Sequence, residues 1–201
     1  MRDFLLRMYA FMRRLPEEQG LHAAVAVAMA MLSGDDRLAG RDCLLRGGLF
    51  PEQLSPSYLD GGMNPALALG AAIAMQAQSE GCVVAAPVPT ECVQDEAFAG
   101  LLETAVEMSL PIVFLMECDA DFPEDLEAQA VLGEIERIQA DAGDAMRLMP
   151  AIRLAIDKAR EGDGPTLVEC VCADEAQELT PAERLAEVLI TEGYATPEEL
   201  I

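Results

Sequence analysis

Two short segments concentrate the groups that could do chemistry, Pro87-Val-Pro-Thr-Glu-Cys92 and Glu117-Cys-Asp-Ala-Asp121. Each follows an apolar run and carries at least one carboxylate beside a thiol. Magnesium takes oxygen ligands, often one or two carboxylates together with phosphate. A carboxylate at a helix start caps backbone N–H groups instead, and Asp119 and Asp121 are read that way first. Cys118 reads as a small residue at a strand end. The six cysteines, Cys43, Cys82, Cys92, Cys118, Cys170 and Cys172, form no CxxC pair. The one histidine, His22, lies in an apolar helical stretch and reads as a helix residue, so a structural zinc site is not expected. Cys170 and Cys172 are two apart in an expected strand. They face the same side and resist a mutual disulfide, so buried thiols are expected.

What makes the two segments informative is the pattern of elements around them. Helices and strands alternate, which specifies an α/β fold with a mostly parallel sheet. Helices are expected over Asp3–Arg14, Glu17–Leu32, about Asn64–Ser79, about Gln94–Ser109, Glu124–Gln139 and Ala145–Arg160. Strands are expected at Cys82–Ala86, ended by Pro87 and Pro89, at Pro111–Met116 and at Thr166–Val171. Gly47 to Gly62 reads as a loop. Thr180-Pro-Ala-Glu183 and Thr196-Pro-Glu-Glu199 are helix-capping signatures. The three strands lack strict alternation, as strands covered on both faces do. In an open parallel sheet, ligands bind at the carboxyl ends of the strands, where helix N-termini offer N–H groups to anions. Both chemical segments fall there.

Thirteen basic against thirty-six acidic residues give a formal charge of −23. That charge opposes nucleic acid and anionic membranes as partners. No apolar run reaches the roughly 20 residues of a membrane helix. The N-terminus interleaves charges with its apolar residues and resembles neither a signal peptide nor an anchor, so a cytoplasmic location is expected. A chain of 201 residues can bury one full core. The acidic surface reads as solvation, with a salt-adapted host or a basic partner surface as the sharper alternatives.

Four segments, in preserved order, resemble the α subunit of the E1 component of thiamine-diphosphate-dependent 2-oxo acid dehydrogenase complexes. Leu15–Leu38, with Gly20-Leu-His-Ala-Ala-Val25 and Gly34-Asp-Asp36, is similar to that family's early helix and its Pro-Asp-Asp turn. Gly61–Gln76 looks like the helix entering the cofactor domain. Cys82–Asp119 aligns without a gap to the cofactor-binding strand-helix-strand, including Leu110-Pro-Ile-Val-Phe114. Ala159-Arg-Glu-Gly-Asp-Gly-Pro-Thr-Leu-Val-Glu169 is close to the family's Arg-x-Gly-x-Gly-Pro-Thr-Leu-Ile-Glu, and Ala182–Leu200 follows like its final helices.

The resemblance implies a three-layer thiamine-diphosphate-binding-type fold over 1–201 as a single domain, with N-terminal helices at 1–33 and C-terminal helices at 180–201. It also implies a degenerate cofactor site. Where the family has Gly-Asp-Gly and then paired asparagines, this chain has Pro89, Thr90 and Glu91, then Cys118 and Asp119. Pro89 lacks an N–H, Thr90 replaces a carboxylate, and Glu91 adds negative charge. Asp119 is the one plausible remaining magnesium ligand. The family's histidine-bearing loops have no counterpart in Arg46–Asp60 or after Glu169. No catalytic residue and no cofactor are therefore expected. The expected role is a non-catalytic binding or regulatory subunit, as a homodimer or with an E1-beta-like subunit. The alternative is a thiamine-diphosphate- and magnesium-dependent oxidoreductase subunit completed by a partner chain.

Overall fold

The structure, a computed structural model, describes residues 1–14, 20–40, 43–48, 64–78, 81–88, 90–119, 132–172 and 179–200. Among them, six strands form one sheet: β1 Arg37–Ala39, β2 Leu44–Arg46, β3 Val84–Val88, β4 Ile112–Asp119, β5 Glu136–Asp141 and β6 Thr166–Cys172, in the order β2-β1-β3-β4-β6-β5. Every pairing is parallel except the short β1–β2 hairpin. Six helices accompany it: α1 Arg2–Met12, α2 Gly20–Met31, α3 Pro65–Gln78, α4 Glu96–Glu107, α5 Ala145–Glu161 and α6 Pro181–Thr191. None is long and apolar enough to cross a membrane.

The continuous apolar runs are two interleaved faces, because successive strand residues point to opposite sides. Val83, Ala85, Val113, Leu115, Val168 and Cys170 join the core under α1, α2, α5 and α6. Val84, Ala86, Ile112, Phe114, Met116 and Leu167 join the second core, under α3 and α4. There Phe114 meets Phe98 edge to face, with ring centroids 6.1 Å apart. The result is the expected three-layer α/β arrangement.

Local chemistry fixes the helix ends. Asp144 accepts from Met146 N at the start of α5, and Gly162, at φ 86°, takes the left-handed turn that ends it. Thr180 and Glu183 form a reciprocal capping box on α6. Hydrogen bonds from the Thr180 backbone N–H and hydroxyl hold the Glu183 carboxyl below its usual range. The second signature closes as a 3-10 turn, Pro197–Leu200, with Thr196 N donating to Glu199.

The β1–β2 hairpin was not expected, because its three-residue strands carry too little pattern to read; it ends before the loop expected from Gly47, of which Gly47 and Gly48 form a turn and residues 49–63 lie outside the described ones. Two expectations need correction. Pro87 does not end β3 but sits inside it, opposite Leu115. Val83 O faces β1 and Val84 N faces β4, so alternation turns Pro87's missing N–H toward the β1 side, where β1 has already finished. Finally, 136–139 is not the end of a helix. Glu136–Asp141 is an edge strand with only Ile138 and Ala140 turned to the core, and its charged outer positions imitate a helical surface. Residues 120–131 lie outside the described ones.

The residues that carry the sequence resemblance meet at the amino edge of the sheet. Asp36, fully buried just before β1, accepts at Oδ2 from Ser33 N (2.7 Å), Ser33 Oγ (2.9 Å) and Arg160 Nη2 (2.7 Å), and at Oδ1 from Val83 N (2.8 Å). One carboxylate thereby ties the α2–β1 turn, the entry to β3 and the end of α5. Gly47 packs against this turn so closely that a Cβ would lie 1.9 Å from Ser33 O, and its N–H bonds Asp36 O.

Thr166, at the start of β6, is fully buried and its Oγ1 has no hydrogen-bond partner among the described residues. A buried unpaired hydroxyl costs about 1–3 kcal/mol. Thr166→Val should therefore leave stability unchanged or raise it by about 1 kcal/mol in urea titration. A loss above about 1 kcal/mol would show that the hydroxyl has a partner.

Candidate functional site

The carboxyl ends of β3 and β4 are adjacent, with Val88 opposite Met116, and β4 runs on through Asp119. A 3-10 turn, Thr90–Gln94, follows β3 and packs against β4, so the two segments singled out from sequence do come together. After β4, the next described core residues are Leu132 and Ile135, on the α3/α4 side. After β6 they are Leu185 and Leu189 of α6, on the opposite side. The strand order therefore reverses between β4 and β6, with Asp119 beside Cys172. Open α/β sheets place ligands at such reversals. Sequence reasoning could not find this point, because it depends on β6 inserting between β4 and β5.

The individual residues take different roles. Pro89 and the side chains of Thr90, Asp119 and His22 lie outside the described residues. Glu91 is exposed on the 3-10 turn. Cys118 is fully buried, in the core under α3 and α4, with Sγ donating to Met116 O at 3.7 Å. It faces the interior and not the strand end. Cys92, the thiol of the first segment, was not assigned to the cofactor site from sequence. Its thiol, half-buried beside Glu91 and Asp95, is pushed up first by burial and then by those two carboxylates.

Two helix N-termini follow strands at this end, and both are closed by their own side chains. Asp95 Oδ1 accepts from Ala97 N at 2.9 Å on α4. Asp144 Oδ1 accepts from Met146 N at 2.8 Å on α5, where Asp141 Oδ1 also takes Gly143 N. Arg147 pairs with both Asp141 and Asp144, at 3.2 and 3.5 Å. The N–H groups that could grip an anion are in this way partly occupied by carboxylates. Among the described residues, no group of three or more His, Cys, Asp or Glu side chains is placed to hold a metal.

No family model matches the chain. In sequence it is 28% identical over 136 residues to the pyruvate dehydrogenase E1 component subunit alpha of Acholeplasma laidlawii, an alignment covering 62% of this chain and 39% of that subunit. The chain thus spans about two fifths of that relative's length. In structure it is similar to transketolase from Pichia stipitis, with a TM-score of 0.53 and 14% identity over 99% of this chain and 42% of the transketolase chain. It is also similar to a protein from Mycobacterium smegmatis described as a thiamin diphosphate-dependent enzyme, with a TM-score of 0.51 and 16% identity over 79% of this chain and 32% of the other. These identities speak for the fold alone.

Proposed function

We infer that this chain, an E1-alpha-like relative with the fold of thiamine-diphosphate-dependent enzymes, is a non-catalytic subunit that binds or regulates a partner and does not itself hold the cofactor. The observation that carries this reading is the field at the end of β3. Burial first, and then Glu91 and Asp95, push the Cys92 thiol up, and the same two carboxylates would disfavour a diphosphate. A carboxylate about 5 Å from one phosphate charge is repelled by roughly 3 kcal/mol at an effective dielectric of 20. The self-capped α4 and α5 add to the misfit, since their N-terminal donors already serve Asp95 and Asp144. Thiamine diphosphate and magnesium therefore do not fit the side chains described at this end, and no step of chemistry is assigned to them.

A rival reading keeps the oxidoreductase chemistry of an E1 α-type subunit, with the missing groups supplied by a partner chain. Asp119, standing at the end of β4, is the residue that favours it. Calorimetry tests the first reading on the purified chain, and repeating it with the partner chain present tests the rival. The purified chain should show no micromolar binding of thiamine diphosphate with magnesium. A magnesium-dependent rise in melting temperature on adding the diphosphate would restore the rival.

Association is the second part of the proposal. Ala66, Gly70, Ile73, Ala74 and Ala77 leave an exposed apolar stripe on α3, and a Cβ at Gly70 would meet nothing within 4 Å. The N-terminal helices do not cover this stripe. α3 packs on β1, β3, β4 and α4, while α1 and α2 lie across the sheet. A second copy or an E1-beta-like subunit is the proposed cover, because small residues let another helix approach closely.

A further inference from the structure

Away from the strand ends, the C-terminal half of α4 and the turn into β5 enclose a groove of about 360 Å³. Leu102, Val106, Leu132 and Ile135 line its apolar part, and Glu103, Glu107 and Glu134 are the charged residues at its edge. All three carboxylates are exposed, and none has an ion pair among the described residues. Some acids elsewhere are matched, Glu136 by Lys158, Asp141 and Asp144 by Arg147, Asp157 by Arg160 and Glu199 by Arg2, while others such as Asp163, Glu187 and Glu192 have no ion pair among the described residues; what sets the groove acids apart is the apolar wall beside them.

The groove's acids are also badly placed for the helix that carries them. Glu103 and Glu107 are four apart, so like charges face each other on one side of α4. Glu107 occupies the last turn, where unsatisfied carbonyls already present negative charge, and α4 contains no basic residue. A cation lying in the groove relieves both conflicts at once, whereas solvation alone could be met by acids at the helix start.

We propose that this groove docks a basic amphipathic segment of a partner protein, an apolar side chain entering between Val106 and Ile135 while flanking lysines or arginines meet Glu103, Glu107 and Glu134. A second copy of this chain is a poor occupant, since a surface of net charge −23 approaching these carboxylates is repelled. The proposal is independent of whether the strand ends hold a cofactor.

The probe is a fluorescein-labelled amphipathic peptide of leucine and lysine, followed by anisotropy on the full chain at low salt and at about 0.3 M salt. The triple variant Glu103→Gln, Glu107→Gln, Glu134→Gln should bind about tenfold more weakly or worse, and should melt at a higher temperature because its repulsions are gone. Asp163→Asn, Glu187→Gln, Glu192→Gln removes the same charge elsewhere and should leave binding unchanged. Ala99→Trp, which narrows the groove without changing charge, should also weaken binding, with a melting curve to show the fold intact. No binding by the unmodified chain, equal losses in the two triple variants, or full affinity in Ala99→Trp would each overturn the proposal.

Discussion

Asp36→Ala should cost about 3–5 kcal/mol of folding stability, a large share of the roughly 5–15 kcal/mol that a domain of this size has. The substitution strands Val83 N and Ser33 N without an acceptor and leaves Arg160 without its carboxylate, although that guanidinium keeps some access to water. Removing one partner of a buried pair costs far more than the pair contributes against an apolar replacement. Asp36→Asn keeps oxygen acceptor capacity but not the charge, so its loss should be smaller, about 1–3 kcal/mol. Urea titration reads both as a shifted midpoint at unchanged slope. A loss under about 1 kcal/mol for the alanine variant would mean that water replaces the carboxylate and that the amino edge is open.

Gly70→Arg should convert the assembled protein to a monomer while leaving the fold slightly firmer. The open space around Gly70 accepts a side chain without a clash, and arginine in a helix interior is favoured over glycine by about 0.5–1 kcal/mol. On the partner-facing stripe, however, a long charged group replaces the point of closest helix approach. Light scattering, or co-purification if the partner is another chain, reads the first effect, and thermal melting the second. An unmodified chain that is already monomeric at micromolar concentration and recovers no subunit would remove the basis for the association. So would an arginine variant that stays assembled.

How far the sequence could be read depended on the length of each physical signal. β3, β4 and β6 were legible because Val83–Ala86, Ile112–Met116 and, apart from Glu169, Leu167–Val171 are apolar on both faces, which a doubly covered strand requires. β5 was not, because an edge strand needs only Ile138 and Ala140 inside and leaves Glu136, Arg137 and Gln139 to look like a helix surface. The capping signatures of α6 and of Pro197–Leu200 closed as read, being local by nature. The strand-end location of the candidate site followed from topology, and the 3-10 turn does meet β4 there. What stayed hidden was everything joined across the chain. Asp36 and Arg160 were both visible within family-like motifs, but 124 residues separate them and no local pattern announces the pair.

The place of β6 in the sheet sets the order in which the chain can mature. It is the last strand to be synthesised among those described, yet it lies between β4 and β5 and hydrogen-bonds to both. As the polypeptide leaves the ribosome, β4 keeps an open edge and β5 has no described neighbour until 166–172 emerges. Such edges are templates for wrong pairing, and nonlocal parallel pairing is slow to form. Between the emergence of β4 and that of 166–172 the nascent chain is thus exposed to wrong pairing, and one late insertion joins β5 to the rest of the sheet.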